Sequence, residues 1–269
     1  MEKTELHRSC EQSLSVENNL IMKRALIDEK FLMQHLKKYT EKKYSNVLDV
    51  ACGSGVTSHI LKKALDAKEI YGIDIDADVI DYAKCMAGEN MYFQIGDALS
   101  IPYKPNSFDF TFARMLFEVC PYPEIVVDEA IRVTKPGGRV FFGGNMETTP
   151  FIYPTPLHYN KYVEAEKRLI RATRKFSYNP LELYNIFKKK GLKEVELNPI
   201  VKDTNKFTKE ELVDYYYENH DYENSLLVKM GFFTSKELQE YDQSLLEVMK
   251  CKQSYYFYIQ YYITAIVDK

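Results

Sequence analysis

The stretch Asn46–Gly55, which reads NVLDVACGSG, limits the possible folds more than any other part of this chain. Asn46 to Val50 is a short β-prone run that suits a strand buried on both faces. Gly53 and Gly55 follow, and an apolar stripe then predicts a helix over residues 56–67. Because glycine has no Cβ, such a turn lets a ligand lie against backbone N–H groups at the start of a helix. A strand, a glycine turn and a helix in this order predict a small-molecule site.

Two nucleotide-like ligands use a turn of this kind, and the spacing separates them. The dinucleotide fingerprint G-x-G-x-x-G has a third glycine where this chain has Ser58. Asp49 precedes the turn instead, and small residues follow at Ala51, Gly53 and Gly55. This pattern resembles motif I of the class I S-adenosylmethionine (SAM)-dependent methyltransferases, D/E-x-G-x-G-x-G, with Ala51 in place of the first glycine.

Four further segments continue the resemblance in the same order along the chain. They are YGIDID at residues 71–76, GDA at 96–98, SFDF at 107–110 and KPGGRV at 135–140. The resemblance implies that Asp74 accepts hydrogen bonds from the ribose hydroxyls of SAM, a task that suits an acceptor-only carboxylate. It also implies that Asp97 takes the adenine amino group, and that the loop over residues 53–55 holds the methionine part.

The resemblance further implies a Rossmann-like α/β fold: a seven-stranded, mostly parallel sheet with an antiparallel last strand and helices on both faces. We predict this SAM-binding core over residues 45–202 and 253–269. Residues 1–44 contain an amphipathic helical pattern, interpreted as a lid over the cofactor, with Lys23 or Arg24 as partners for its carboxylate. A helix packed on the sheet edge is the alternative.

Residues 203–252 are more than the minimal fold needs. Capping boxes that begin at Thr208 and Thr234 predict two helices there, over about residues 209–220 and 235–251, which form a cap. The cap is acidic and contains three consecutive tyrosines at residues 215–217, a composition suited to a cationic substrate. A solvated face is the alternative. Residues 149–159 contain three prolines, so we predict an irregular loop that shapes a pocket.

Candidate site residues lie in the glycine turn and at the carboxyl ends of the predicted strands, where open parallel sheets bind ligands. The candidates for cofactor binding are Asp49, Ala51, Cys52, Gly53, Gly55, Asp74, Ile75, Asp97, Ala98, Ala113 and Arg114. The candidates for substrate binding are Glu118, Asn145, Tyr153, Tyr159 and Tyr216. His158, the histidine near this predicted mouth, is the candidate general base, with a helix-start or surface position as the alternative.

Composition limits the partners and the compartment. With 269 residues, 45% of them hydrophobic, the chain can build one domain with a sizeable core. A net charge of −3 argues against a nucleic-acid partner. The sequence has neither a membrane-length apolar run nor a signal peptide at its start, which predicts a cytoplasmic protein without a membrane partner. Five scattered cysteines predict neither a disulfide framework nor a metal site.

The function that the resemblance implies is direct methyl transfer from SAM to an O, N or C nucleophile of a small molecule, with S-adenosylhomocysteine as the product. The chain is most similar to the ubiquinone-biosynthesis-like small-molecule group, also called methyltransferase type 11. One alternative is a nicotinamide-dependent oxidoreductase, since Tyr184 and Lys188 match the Y-x-x-x-K spacing. The other is a non-catalytic module that keeps the fold to bind SAM or a partner.

Overall fold

A computed structural model describes residues 16–40, 42–145, 151–173, 180–206, 208, 211 and 220–269. These residues form eight strands. They are β1 (Asn46–Val50), β2 (Glu69–Asp74), β3 (Met91–Ile95), β4 (Phe108–Arg114), β5 (Thr134–Asn145), β6 (Phe151–Tyr153), β7 (Lys193–Asp203) and β8 (Tyr255–Ile266). They make one sheet in the order β3-β2-β1-β4-β5-β8-β6, with β7 paired along β8.

Strand β8 runs against the rest of this sheet. Strands β1 to β5 pair in parallel, whereas β8 is antiparallel to β5, β6 and β7. Within β8, Gln260–Ile266 faces β5, and the earlier segment Tyr255–Phe257 extends past β5 and faces β6. The predicted mostly parallel sheet with an antiparallel last strand is therefore confirmed.

Strand β6 was not predicted and lies in the segment that the prolines assigned to an irregular loop. That prediction is wrong for Phe151–Tyr153, which pair with Tyr255–Phe257. Phe, Ile and Tyr all favour strands, and the free side of β8 beyond the end of β5 gives them a partner. Pro154 follows directly and ends the strand, because proline cannot donate to the ladder.

Eight α-helices surround the sheet within the described residues. They are α1 (Val16–Leu36), α2 (Val56–Ala64), α3 (Ala77–Cys85), α4 (Pro123–Val133), α5 (Tyr159–Thr173), α6 (Pro180–Lys189), α7 (His220–Lys229) and α8 (Ser235–Lys250). Helix α2 ends before the predicted boundary, where Asp66 takes a left-handed backbone with φ of 46°. Among the described residues, no helix has the length and apolar character needed to cross a bilayer.

Two hydrophobic clusters cover the two faces of the sheet. One face packs against α4 and α6, through residues such as Val126 and Phe187. The other packs against α1, α2 and α3, and its cluster continues without a break into α5, α7 and α8. The helices of the predicted cap thus share one core with this face of the sheet. The boundaries between lid, core and cap stay a prediction.

Helix α8 begins with the predicted capping box. The Glu237 N–H donates to Thr234 Oγ1 at 3.2 Å, and the Thr234 N–H donates to Glu237 Oε2 at 3.0 Å. Thr208 and Glu211 show the same reciprocal pair, at 3.1 and 2.8 Å. Most of the helix predicted after Thr208 lies outside the described residues. Helix α7 begins where that prediction ended.

Three of the four cysteines that the structure describes are free thiols. Cys52 and Cys120 are buried free thiols, and Cys251 is a half-buried one. Cys85 is disulfide-bonded, which the scattered spacing did not predict.

Candidate functional site

The turn after β1 has an unusual backbone. Ala51, Gly53 and Gly55 all have positive φ, at 58°, 52° and 80°. The Cys52 N–H donates to the Ile73 carbonyl at 2.9 Å, which ties the turn to β2. Glycine adopts this backbone freely, but alanine at position 51 costs about 1–2 kcal/mol. A Cβ on Gly53 would meet nothing within 4 Å, so the backbone there borders open space.

Asp49 lies beneath this turn and is fully buried in β1. Ser58, on the first turn of α2, donates its hydroxyl to Asp49 Oδ2 at 2.6 Å. Burial raises the pKa of Asp49 to about 7, against the effect of the Ser58 hydrogen bond and the Arg114 charge. The residue that breaks the dinucleotide fingerprint is thus the hydrogen-bond donor that joins α2 to the motif I carboxylate.

Cys52 has no sign of reactivity. Its thiol is buried, and desolvation together with the nearby Asp49 carboxylate raises its pKa well above the ordinary range. A thiol that stays protonated is a poor nucleophile. A small residue that fills space in the turn explains this position.

Asp74 is the last residue of β2, and backbone N–H groups orient both of its carboxylate oxygens. The Gly53 N–H donates to Oδ2 at 2.9 Å, and the Asp76 N–H donates to Oδ1 at 3.1 Å. Each oxygen keeps a lone pair for a further donor, as two vicinal hydroxyls would require. The neighbouring Ile75 is 72% exposed and gives an apolar surface beside the carboxylate.

Asp97 follows β3, next to Asp74. The Gly96 N–H donates to the Asp74 carbonyl at 2.9 Å, which ties the two strand ends together. Asp97 is exposed, and its Oδ1 accepts from the Leu99 N–H at 2.8 Å. Ala98 is half-buried against the apolar cluster under α4 and α6. Two carboxylates, an exposed isoleucine and open backbone at one edge fit a nucleoside-type cofactor with a polar tail.

Arg114, at the carboxyl end of β4, lies in a buried ionic network rather than in solvent. Its Nη1 donates to Asp28 Oδ2 at 3.1 Å, and the two side chains are 9% and 3% exposed. Asp28 comes from α1, so this pair attaches the N-terminal helix to the ligand edge of the sheet. Ala113, the residue before Arg114, is buried between Val50 and Phe142 in the sheet register.

Lys202 and Gln260 complete the network around Asp28. The fully buried Lys202 Nζ donates to Asp28 Oδ1 and lies 4.9 Å from the ring centroid of Phe31. Gln260 Nε2 donates to Asp28 Oδ2 at 3.3 Å and to Asn145 Oδ1 at 2.8 Å. Burial lowers the pKa of Lys202 to about 8, although Asp28 opposes that shift. The sequence analysis missed Asp28, Lys202 and Gln260.

Two substrate candidates meet at the ends of β4 and β5. Glu118 Oε1 accepts from the Asn145 N–H at 2.8 Å. Because Asn145 also receives the Gln260 hydrogen bond, Glu118 is joined through Asn145 to the ionic network. These contacts place both candidates at the carboxyl edge of the sheet.

The remaining candidates lie toward the cap. His158 Nε2 is 2.9 Å from Glu240 Oε2, a contact that joins the residue before α5 to α8. Tyr153 is 70% exposed on β6, and Tyr159 is half-buried at the start of α5. Burial raises the pKa of the Tyr159 hydroxyl. Tyr216 lies outside the described residues, as do the side chains of Lys23 and Arg24. The roles of His158 and these tyrosines stay predictions.

Comparison with known proteins recognises the segment that contains this edge. Residues 48–142 match the family model described as a methyltransferase domain. Demethylmenaquinone methyltransferases from strains of Staphylococcus aureus are 32% identical over 108 residues, which is 39% of this chain and 45% of the relatives. The chain therefore spans less than half the length of these curated relatives.

Solved structures match the fold over most of the chain. A methyltransferase from Bacillus halodurans, described as putative, has a TM-score of 0.59 at 17% identity and covers 88% of this chain and 99% of its own. Phosphoethanolamine N-methyltransferase 2 from Haemonchus contortus, in complex with SAM, has a TM-score of 0.54 at 16% identity and covers 88% of this chain and 52% of its own. Residues 48–142 of this chain are thus a methyltransferase domain, on a fold that the chain shares with solved methyltransferases.

The methyltransferase domain extends from β1 into β5, so it includes the glycine turn, Asp74 and Asp97. The predicted fold class and the methyltransferase domain are confirmed, and the Haemonchus contortus neighbour binds SAM, the cofactor that the sequence predicted for this chain. Which residues contact SAM stays a prediction, which the carboxylates and the open backbone described above support.

Proposed function

We propose that this protein is a SAM-dependent methyltransferase that methylates an O, N or C nucleophile of a small molecule. The observation that carries the proposal is the Asp74 carboxylate. Both of its oxygens are held by backbone N–H groups at 2.9 and 3.1 Å, and it stands beside the exposed Ile75 and the open backbone of Gly53. It lies inside the methyltransferase domain, at the edge where parallel sheets bind ligands.

The cofactor-binding residues work by orientation. Asp74 accepts from the ribose hydroxyls, Asp97 accepts from the adenine amino group, and the backbone of the Gly53 to Gly55 turn faces the methionine part. SAM, when bound, supplies a methyl group on a positively charged sulfur. The protein then has to hold the acceptor in line with that methyl group and exclude water, which accounts for large rate effects without a covalent intermediate.

Three observations favour a small acceptor. The relatives include demethylmenaquinone methyltransferases, and a structural neighbour is a phosphoethanolamine N-methyltransferase; both names refer to small molecules. The net charge of −3 does not favour nucleic acid. In our proposal, residues 1–44 act as a lid and residues 203–252 as a cap around a core at 45–202 and 253–269, with Tyr153, Tyr159 and Tyr216 on the acceptor side.

Calorimetric titration tests the cofactor assignment. We expect wild-type protein to bind SAM and S-adenosylhomocysteine, and Asp74→Ala to bind both at least about tenfold more weakly, because charged hydrogen bonds contribute about 1.5–3 kcal/mol each. Asp78→Ala is the matched control: it removes an exposed carboxylate four residues away and should change affinity less than twofold. The titration is repeated with NADH.

Three other results of these binding and activity assays would each contradict a different part of the proposal. Binding of NADH without SAM would overturn the proposal in favour of an oxidoreductase. SAM binding that survives in Asp74→Ala would show that this carboxylate does not hold the ribose. SAM binding without methyl transfer to any amine, phenol or hydroxy acid in a radiolabelled-methyl screen would favour a non-catalytic module.

A further inference from the structure

Glu118 has a carboxylate at the ligand edge that the protein satisfies on one side only. It follows the carboxyl end of β4 and reaches the end of β5, where its Oε1 accepts from the Asn145 N–H at 2.8 Å. Its Oε2 is fully buried and has no hydrogen-bond partner among the described residues. Buried polar atoms without partners are rare in folded proteins, and such an atom in a binding edge indicates a missing ligand group.

The backbone of β5 is shaped to admit this carboxylate. A Cβ on Gly144 would lie 2.6 Å from Glu118 Oε1 and 3.2 Å from the Tyr261 hydroxyl. Glycine at this position therefore lets the carboxylate lie directly against the strand. The contact with Asn145 then fixes Oε1, and this leaves Oε2 as the atom available for a further donor.

The nearby cation does not neutralise Glu118. Arg114 is the positive charge that acts on this carboxylate, but its guanidinium forms an ion pair with Asp28 at 3.1 Å. Desolvation consequently dominates and raises the pKa of Glu118, although the Asn145 N–H, the N–H of Glu118 itself and the Arg114 charge oppose it. A donor brought by a ligand would relieve this cost.

We propose that Glu118 Oε2 accepts a hydrogen bond from an N–H or O–H group of a bound ligand, and so selects ligands that carry such a donor here. The inference rests on the proposed function. Two sources carry this chemistry: the amino group in the methionine part of SAM, and an amine or hydroxyl on the methyl acceptor.

The test uses Glu118→Gln, titrated with S-adenosylhomocysteine and with 5′-methylthioadenosine, which lacks the amino-acid part. Glutamine keeps the shape and the Oε1 contact with Asn145, and it places a donor where Oε2 accepted. Glu124→Gln, the same change at an exposed residue of α4, is the matched control and should leave both affinities within twofold of wild type. Circular dichroism melting verifies that each variant is folded.

If the donor is the cofactor amino group, Glu118→Gln lowers the affinity for S-adenosylhomocysteine at least about tenfold. The affinity for 5′-methylthioadenosine is then unchanged. If the donor belongs to the acceptor, both nucleosides bind normally. Ethanolamine or catechol, added at saturating S-adenosylhomocysteine, then raises the melting temperature of wild type but not of Glu118→Gln. Gly144→Ala displaces the Glu118 carboxylate without removing it, so this variant should bind the same ligand more weakly.

Unchanged binding of all four probes in Glu118→Gln would overturn the inference. Wild-type protein that binds neither nucleoside would instead contradict the proposed function itself, so the two failures are distinguishable.

Discussion

Asp28 lies between the two cations Arg114 and Lys202, and its replacement by asparagine tests the network. Breaking a buried ion pair from one side costs about 3–5 kcal/mol, because a buried charge loses an ionic partner. Lys202 can release its proton, since burial already lowers its pKa to about 8, whereas Arg114 cannot. We therefore expect a loss at the lower end, about 3 kcal/mol, which corresponds to a fall in Tm of about 6–12 °C.

Thermal unfolding followed by circular dichroism at pH 7.5 measures this loss. Glu29→Gln is the matched control on the same helix, because Glu29 forms an exposed pair with Lys63 at 3.6 Å. Exposed pairs contribute less than about 1 kcal/mol, so its Tm should stay within about 3 °C of wild type. The double variant Asp28→Asn with Lys202→Met should recover at least half of the loss, because methionine fits beside the Phe31 ring without a charge.

Two results would refute this reasoning. If Asp28→Asn and Glu29→Gln have the same Tm, the network does not stabilise the attachment of α1. If the double variant melts as low as the single one, the loss does not come from the buried charge of Lys202.

Three further variants test other features of the fold. Burial raises the pKa of Asp49 to about 7, so between pH 4 and 7 the folded chain holds a proton that the unfolded chain has lost, and stability falls as pH rises through this window. The Tm of Asp49→Asn should consequently fall less than that of wild type between pH 5 and 8; equal slopes would contradict the burial argument. Gly72→Ala should lose about 1–3 kcal/mol in urea unfolding, because its Cβ would lie 2.4 Å from the Phe93 ring, whereas Gly88→Ala, with its nearest contact at 3.4 Å, should be close to neutral. Thr234→Ala should lose about 1 kcal/mol through its capping hydrogen bond, and a loss equal to that of the control Ser235→Ala would argue against the cap.

Local patterns account for the parts of the fold that the sequence predicted. The strand, glycine turn and helix around Gly53 are specified by neighbouring residues, and the acidic ends of β2 and β3 follow at family-like intervals. Strand β6 was missed because its proline-rich flanks suggested a loop, and its pairing depends on β8, about a hundred residues further along. Pairing over such a separation leaves no local signal.

The buried network was missed for a related reason. Asp28 is one of many charges on an amphipathic helix, and its partner Lys202 is 174 residues away. A signal did exist in the strands. Lys202 lies two residues after the buried Ile200, and Gln260 lies two residues from each of the buried Tyr258 and Tyr262. A period of two therefore places both polar residues on inward faces. Polar residues at core positions of a strand point to a partner.

His158 was chosen because it lies near the predicted ligand edge, and its role as a general base stays a prediction. The contact seen for its ring is with Glu240 on α8. Which of the five histidines lies at the ligand edge depends on how helices such as α5 and α8 pack. The sequence pattern does not specify that packing.

The position of β8 has a consequence for synthesis on the ribosome. Because β8 is the partner of both β5 and β7, the nascent chain must extend through α7 and α8 before the outer part of the sheet can close. Until then β5 presents an unpaired edge, which other chains can pair with and which invites aggregation. We therefore expect substitutions that weaken the pairing of β8 with β5 to lower the yield of folded protein as well as its stability.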